Sequence, residues 1–177
     1  MRVAAGEPGE SEIYAALLSA IERADTRIYL TMGYFVPDPR TMEALTGAAR
    51  RGVDVQLALP GVSDFWEPLY AGRSNYQTLL DAGVRIFERH DAMLHAKTAV
   101  IDGVWSTVGS TNVDWRSFVH NAEANVIVLG VDFGGQMERL FRLDVEHSIE
   151  IDPVRWADRG IAARMKEWFA RRWEYLL

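Results

Sequence analysis

The sequence contains no cysteine. Disulfide bonds, thiol catalysis and cysteine-ligated zinc sites are therefore excluded. The sequence also lacks an apolar run of about 18 residues, the length that predicts a helix across a bilayer. Residues 1–10 contain no long apolar core and are typical of a domain edge rather than of a signal peptide. From these absences we expect a soluble chain.

The chain also lacks a net positive charge, because 25 acidic residues outnumber 19 basic ones and the formal net charge is −6. Proteins that bind nucleic acid without sequence preference usually carry net positive charge, so this composition disfavours a nucleic-acid partner. Apolar residues make up 49% of the chain, which is enough for a substantial core. At 177 residues the chain has the size of one domain, or of one half of something larger.

Hydrophobic periodicity predicts strands and helices that alternate through the first half of the chain, after which strands cluster. The predicted strands are 27–36, 53–59, 84–88 and 123–130, with a hairpin formed by 94–101 and 104–110. The predicted helices are 11–24, 39–52, 74–82, a segment from 132 onward, and 160–177. A polar and aromatic loop is predicted at 60–73. The pattern indicates one α/β domain over residues 1–177, a sandwich with a mixed β-sheet flanked by helices.

The stretch LHAKTAVIDGVWSTVGSTN, residues 94–112, carries the most informative spacing. Residues two apart in a strand point to the same face, roughly 7 Å apart, so His95 and Lys97 are expected to project together. Asp102-Gly103 predicts a two-residue hairpin turn, because both positions accept positive φ. The chain then returns, and Ser110 and Asn112 are expected to lie near the start of the first strand.

An imidazole, an ammonium, a hydroxyl and an amide at one place suit a phosphate group. Lys97 supplies charge, Ser110 and Asn112 supply hydrogen-bond donors, and His95 is available for nucleophilic or acid–base chemistry. A metal site is disfavoured, because a lysine two residues from the histidine repels a cation. A single histidine in a strand is usually only packed, and a single lysine is usually only solvated. The combined spacing is what favours a site.

These residues carry a family resemblance. The pattern HxKxxxxDxxxxxxGSxN resembles the signature of the phospholipase D superfamily, and every position of it is filled. The continuation NVDWRSFVHNAE, residues 112–123, is similar to the cardiolipin synthase branch, as is GYFVP at 33–37, where Gly33 replaces a usual proline.

The resemblance implies phosphodiester chemistry without a metal or cofactor. One motif histidine attacks phosphorus and forms a phosphohistidine, and a second protonates the leaving alcohol. The residues it assigns as catalytic are His95, Lys97, Asp102 and Glu123, and it assigns the phosphoryl oxygens to Lys97, Ser110 and Asn112. Glu123 would orient the imidazole, although a plain surface charge is the alternative. Asp102, at the hairpin turn, is expected to be architectural.

The chain holds one such motif, because His90, His120 and His147 have no lysine two residues later. The resemblance therefore implies half a site, completed by a second phospholipase D-like half, either in trans or as a homodimer. Residues 2–21 resemble the entry into the second half of cardiolipin synthases, so we expect a C-terminal half.

The activity that this resemblance implies is transfer of a phosphatidyl group between phosphatidylglycerol molecules. The location would be cytoplasmic or peripheral at the bacterial inner membrane. The alternatives are a dimeric phosphodiesterase or nuclease of the same superfamily, and a phosphate-binding half without activity.

Two further segments keep two interpretations each. The aromatic residues Phe65, Trp66, Pro68 and Tyr70 could line the entry for an acyl chain or contact a missing half, or they could simply pack over the core edge. The basic and aromatic closing helix suits a membrane surface, but it could equally dock on its own core. Arg116 and Ser117 are expected to position the Asn112 turn.

Overall fold

One mixed sheet organises the computed structural model, which describes residues 2–7 and 10–172. Its strands are β1 (Arg2–Glu7), β2 (Glu10–Ser11), β3 (Arg27–Met32), β4 (Asp54–Pro60), β5 (Arg85–Arg89), β6 (Lys97–Ile101), β7 (Trp105–Gly109), β8 (Glu123–Leu129) and β9 (Ser148–Glu150). The helices are α1 (Glu12–Glu22), α2 (Pro39–Arg50), α3 (Trp66–Arg73), α4 (Tyr76–Asp81), α5 (Trp115–Val119), α6 (Val131–Glu146), α7 (Pro153–Ala157) and α8 (Ile161–Arg171).

The strands lie in the order β2-β1-β8-β7-β6-β3-β4-β5-β9. β3, β4 and β5 are parallel, whereas β6, β7 and β8 form an antiparallel meander beside them. β3 sits where the two parts meet, because it pairs in parallel with β4 and antiparallel with β6. The predicted α/β fold with a mixed sheet is confirmed.

The two faces of the sheet carry separate apolar layers. Ile28 and Leu30 of β3 point to the face covered by α1, α2 and α4, where the larger core lies. Tyr29, between them, points to the other face and stacks on Phe141 of α6, with ring centroids 4.7 Å apart. The period of two along β3 therefore serves both layers, as expected for a strand covered on both sides.

Three sequence predictions need correction. β3 ends at Met32 rather than at residue 36, and beyond it Phe35 makes only a single bridge to Val113. The hairpin turn has three residues, not two, because Ile101 pairs with Trp105, although Asp102 and Gly103 both have positive φ as predicted. The predicted loop at 60–73 contains the helix α3.

The other predicted elements are present with shifted ends, and several short ones were missed. The missed elements are β1, β2, β9, α5 and α7. The closing helix is described from Ile161 to Arg171, and residues 173–177 of its predicted span lie outside the described residues. Across the described parts of the chain, no helix combines the length and the apolar character needed to cross a membrane.

The sheet positions the site at one edge. β3 and β6 are antiparallel, and their register pairs Met32, the last residue of β3, with Lys97, the first residue of β6. The segments that follow β3 and precede β6 therefore lie side by side at this edge. The turn after β7 reaches the same place, since Val36 donates a backbone hydrogen bond to Val113 O at 2.7 Å.

Candidate active site

Lys97 is a buried cation at the start of β6. Its side chain is 7% exposed, and Nζ donates a 2.7 Å hydrogen bond to the backbone oxygen of His95. Burial lowers the pKa of Lys97, and the negative charges of Glu123 and Asp114 raise it in part. An ammonium held this way faces the site with its charge only partly balanced, which favours an anionic ligand.

His95 precedes the strand and is exposed. The prediction that His95 shares a strand with Lys97 is therefore wrong. The two residues are instead joined by the hydrogen bond from Lys97 Nζ to the His95 backbone oxygen, and both side chains lie next to Gly33. A methyl group at Gly33 would lie 3.1 Å from Lys97 Nζ and 3.3 Å from His95 Nδ1. The His95 ring stands edge-on to Tyr34, with centroids 6.2 Å apart. Leu94, by contrast, is buried on the α6 side, next to Phe141.

Asn112 lies in the turn after β7 and is 8% exposed. Its Oδ1 accepts a 2.9 Å hydrogen bond from the backbone N–H of Tyr34, and its own N–H donates to Ser117 Oγ at 3.3 Å. Its amide Nδ2 donates to no residue among those the structure describes. Because Oδ1 is engaged by a backbone donor, the orientation of the amide is set, and Nδ2 remains the donor for a ligand.

Ser110 is exposed and anchored to β8. Its N–H donates to Ala124 O and its Oγ accepts from Ala124 N, both at 3.1 Å. The hydroxyl hydrogen stays available as a donor. Gly109 before it is required by space, because a side chain there would collide with Asn125 and with the carbonyl of Ala124.

Glu123, the first residue of β8, is half-buried and accepts a 3.3 Å hydrogen bond from Asn121 Nδ2. No hydrogen bond joins it to the His95 ring in the described structure. Its contribution visible here is electrostatic, since its charge favours the protonated form of Lys97. Orientation of the imidazole by Glu123 stays a prediction.

Asp102 lies at the opposite end of β6 from Lys97. Its carboxylate accepts hydrogen bonds of 2.8 to 3.0 Å from the backbone N–H groups of Asp25, Thr26 and Arg27, and one of 2.7 Å from the Thr26 hydroxyl. Burial raises the carboxyl pKa, but these hydrogen bonds outweigh it and bring the pKa down to about 2. The carboxylate therefore ties the β6–β7 turn to the start of β3.

Two residues that support the site were not predicted from the sequence. Asp114 is buried and caps α5 by accepting a 2.7 Å hydrogen bond from Ser117 N. Burial raises the pKa of Asp114, against hydrogen bonds from Ser117 that lower it. Asn125 is buried in β8 and binds Thr111 and Thr107 with hydrogen bonds of 2.9 to 3.2 Å. A polar residue inside the apolar run EANVIVLG was the available signal for Asn125.

A cleft of about 300 Å³ adjoins these groups. Tyr34, Val36 and Asn112 line part of the cleft, and the Tyr34 ring also contacts the ring of His95. Phe65, Glu67 and Pro68 line it from the start of α3, and polar residues complete the lining, namely Asp114, Arg116, Ser117 and Asn121. Ser117 thus holds the Asn112 turn, whereas the Arg116 side chain lines the cleft.

Comparison with known proteins identifies the family of this chain. The family model described as "Cardiolipin synthase, PLD-like domain" matches residues 17–145. The probable cardiolipin synthase YwiE of Bacillus subtilis is 34% identical over 91% of this chain and 32% of its own length. Cardiolipin synthase A of Yersinia pseudotuberculosis is 34% identical over 94% of this chain and 35% of its own length. The chain thus spans about a third of the length of these relatives.

Two solved structures share the fold. The phospholipase D family member Nuc from Salmonella typhimurium superposes with a TM-score of 0.73 at 21% identity, covering 85% of this chain and 96% of that one. Phosphatidylserine synthase of Haemophilus influenzae gives a TM-score of 0.74 at 12% identity, covering 99% of this chain and 48% of that one. The chain belongs to the cardiolipin synthase family of phospholipase D-like domains.

Proposed function

We propose that this chain provides one half of the active site of a phosphatidyltransferase of cardiolipin synthase type. The observation that carries the proposal is that His95 and Lys97 meet at Gly33 while Asn112 is bonded to the next residue, Tyr34. An imidazole, a buried cation and an amide donor are thereby placed at one edge of the sheet. Cardiolipin is the product that the names of the relatives give, and the proposed substrate, phosphatidylglycerol, is what the family resemblance implies.

The proposed reaction has two displacements at phosphorus. A histidine nitrogen attacks phosphorus, a P–N bond forms, and the bond from phosphorus to the leaving glycerol oxygen breaks as a second histidine gives that oxygen a proton. A hydroxyl of another phosphatidylglycerol then attacks. The P–N bond breaks, the new P–O bond forms, and the hydroxyl proton passes to the second histidine. The oxidation state of phosphorus does not change. In each displacement the entering atom supplies the electron pair of the new bond to phosphorus, and the leaving atom takes away the pair of the broken bond.

In this scheme Lys97, Asn112 Nδ2 and the Ser110 hydroxyl bind the phosphoryl oxygens. They stabilise the negative charge that increases as the phosphorus becomes five-coordinate. Glu123 orients His95 once substrate is bound and supports the imidazolium form. The cleft lined by Phe65, Arg116 and Asn121 receives the glyceryl group on the side away from His95.

The second histidine comes from another phospholipase D-like half. That half is either joined to this one in a longer chain, as the relative lengths favour, or contributed by a second copy. His95 is the general acid in the first arrangement and takes either role in the second. The reaction occurs on lipid at the surface of the bacterial inner membrane.

The test is a transfer assay preceded by light scattering to establish the molar mass in solution. Phosphatidylglycerol is supplied, and cardiolipin and free glycerol are measured, with His95→Ala as the inactive variant and His147→Ala, at the C-terminal cap of α6, as the matched control. If the chain is monomeric, the assay is run with an added N-terminal half of a relative. The proposal requires equal amounts of glycerol and cardiolipin, lost only in His95→Ala.

Two outcomes assign a different function. Cleavage of a chromogenic phosphodiester and of DNA without cardiolipin formation would identify a phosphodiesterase or nuclease. Binding of vanadate, a phosphate mimic, with no turnover in either form of the assay would identify a phosphate-binding half without activity.

A further inference from the structure

Helix α8 is packed with its apolar face outward. Of its eleven residues, Ile161–Arg171, only Glu167 and Ala170 are buried. The large apolar side chains are exposed, with Ile161 at 77%, Met165 at 65% and Trp168 at 60%. These residues recur at helical spacing and share one face. An amphipathic helix that docks only on its own core would bury that face. We therefore expect the exposed face of α8 to contact a partner outside this domain.

The inner face of α8 is held by small and polar contacts. Ala170 packs against Val36 and Ala71, which joins α8 to α3. Glu167 accepts hydrogen bonds from Arg159 Nε at 2.9 Å and Nη2 at 2.7 Å, and the Arg159 guanidinium lies 4.8 Å from the centroid of the Trp156 ring. The contacts that bury α8 are thus made by Ala170 and Glu167, whereas Ile161, Met165 and Trp168 keep most of their surface exposed.

The exposed apolar residues of α8 continue onto α3. Together they line a shallow groove of about 570 Å³, which we call the α3–α8 surface, formed by Trp66, Tyr70, Met165, Lys166, Trp168 and Phe169. Phe65, next to Trp66, is 60% exposed and lines the cleft beside Asn112. The surface thus runs up to the mouth of the candidate active site.

The exposed charge of α8 is opposite in sign to the net charge of the whole chain. The exposed charged residues of α8, with Arg172 at its C-terminal cap, are all basic, namely Arg164, Lys166, Arg171 and Arg172. The one acidic residue of α8, Glu167, is buried and paired with Arg159. Lys166 Nζ lies 5.4 Å from the Tyr70 ring centroid, and the Arg172 guanidinium lies 4.7 Å from that of Trp168. Cations and exposed aromatic rings are therefore interleaved, on a chain of net charge −6.

We infer that the α3–α8 surface docks on an anionic lipid bilayer. Trp168, Phe169 and Met165 enter the boundary between headgroups and acyl chains, and the basic residues bind the lipid phosphates. A second copy of the chain fits this surface poorly, because a two-fold contact would place two basic helices against each other. Anionic lipid satisfies both the charge and the exposed apolar area.

This inference goes beyond the proposed reaction and does not need turnover. If the reaction is as proposed, the docked surface also brings lipid headgroups to the cleft past Phe65. Vesicle binding and transferase activity are measured independently. His95→Ala distinguishes the two, since it should abolish transfer and leave vesicle binding unchanged.

The experiment is co-sedimentation of the full chain with vesicles of phosphatidylcholine alone, or of phosphatidylcholine and phosphatidylglycerol mixed equally. We expect binding to the anionic vesicles that added salt weakens. Trp168→Ser/Phe169→Ser should bind roughly tenfold more weakly. Arg171→Gln/Arg172→Gln should lose most of the preference for anionic vesicles. The matched controls are Leu140→Ser/Leu143→Ser at exposed positions of α6 and Arg23→Gln/Arg50→Gln, just after α1 and at the end of α2, and both should bind as the unmodified chain does.

Several results would overturn the inference. Equal binding to neutral and anionic vesicles, no binding at all, or full binding by Trp168→Ser/Phe169→Ser would each do so. Light scattering without lipid tests whether the surface mediates self-association. A dimer that becomes a monomer in this double variant would assign the surface to a second copy of the chain. Failure to bind vesicles, combined with loss of binding to an added N-terminal half in the same variant, would assign it to that half. Circular dichroism confirms that each variant is folded.

Discussion

Asn112 Oδ1 accepts a 2.9 Å hydrogen bond from the backbone N–H of Tyr34, 78 residues earlier in the chain. This bond joins the turn after β7 to the segment after β3. It leaves Asn112 Nδ2 pointing its hydrogen atoms at no described residue. Two duties are therefore separable in this side chain: its oxygen joins two segments of the fold, and we propose that its nitrogen binds a ligand.

Substitution of Asn112 separates these duties. Asn112→Asp keeps an oxygen for Tyr34 N–H but replaces the donor by a carboxylate, which repels an anion. We expect near-normal stability and at least about tenfold weaker vanadate binding, since a hydrogen bond to a charged group contributes roughly 1.5–3 kcal/mol. Asn112→Ala loses both duties and should also cost about 1 kcal/mol of unfolding free energy. Calorimetry and urea unfolding measure the two effects, and a destabilised Asn112→Asp that binds vanadate normally would contradict the division.

Lys97 should show a conflict between stability and function. Burial lowers its pKa, so the folded state binds the proton more weakly than the unfolded state does. The buried charge is therefore a stability cost below the folded pKa, and the cost disappears as the pH rises through the pKa of the unfolded chain, about 10. Lys97→Met removes it, and we expect the variant to be at least as stable as the unmodified chain at pH 7 while vanadate binding is lost.

Urea unfolding of both proteins between neutral pH and pH 10 measures this. Any stability advantage of Lys97→Met should shrink as the pH rises, because the unmodified chain loses its buried charge. A variant that is markedly less stable at pH 7 would mean that the bond from Lys97 Nζ to the His95 carbonyl outweighs the cost of burial.

The motif could be recognised in the sequence because its spacing is local, but strand periodicity misplaced one of its residues. His95 precedes β6, and it meets Lys97 through the hydrogen bond from Lys97 Nζ to the His95 carbonyl oxygen and at Gly33, not by sharing a strand. The Tyr34–Asn112 bond and the role of Asp114 could not be predicted in the same way. They depend on how β3 and β6 pair, and this register is set by tertiary packing rather than by nearby residues.

The helix α3 was missed for a comparable reason. WEPLYAGR has Pro68 and Gly72, which disfavour a helix interior, and no side-chain cap at Phe65. Pro68 is tolerated because it lies in the first turn. Gly72 is required because a side chain there would collide with the backbone oxygen of Phe35. The amphipathic pattern of α8 was visible, but the sequence could not tell which face docks, since small and polar residues make the inner contact.

Asp102 should matter for stability and not for chemistry. Asp102→Ala removes the acceptor of three backbone N–H groups and should cost roughly 2–3 kcal/mol, with anion binding by the folded protein unchanged. Its folded pKa of about 2 lies below the value of an unfolded aspartate, about 3.9. The stabilisation is therefore complete above pH 4 or so and is lost as the pH falls through about 2.

Urea unfolding at a series of pH values measures the difference in unfolding free energy between Asp102→Ala and the unmodified chain. The difference should narrow below about pH 4, and Asp102→Asn, which retains one acceptor, should lie between the two. A constant difference across this range would show that the carboxylate charge is not what holds the turn.

Glu88 and Arg73 form the most buried ion pair near the site. Their side chains are 3% and 16% exposed, Arg73 Nη2 lies 2.7 Å from Glu88 Oε2, and the Tyr76 hydroxyl donates to Glu88 Oε1 at 3.1 Å. Arg73 also donates to Gly61 O at 3.3 Å, so the pair ties α3 and α4 to the ends of β4 and β5. Arg73→Met removes the guanidinium and leaves the buried carboxylate with the Tyr76 hydroxyl and with His90 Nε2, 3.3 Å from Glu88 Oε2, so it should cost about 3 kcal/mol, the lower end for a broken buried pair.

The double variant Arg73→Met/Glu88→Met distinguishes charge from packing. Because it removes both charges, it should be more stable than Arg73→Met alone, and the four proteins of the cycle give a coupling of at least about 1 kcal/mol. Additive effects would mean that the pair is held by packing alone. Since α3 forms one wall of the cleft, the single variant should also weaken vanadate binding, whereas a variant that lost stability but bound vanadate normally would show that the cleft does not depend on this anchor.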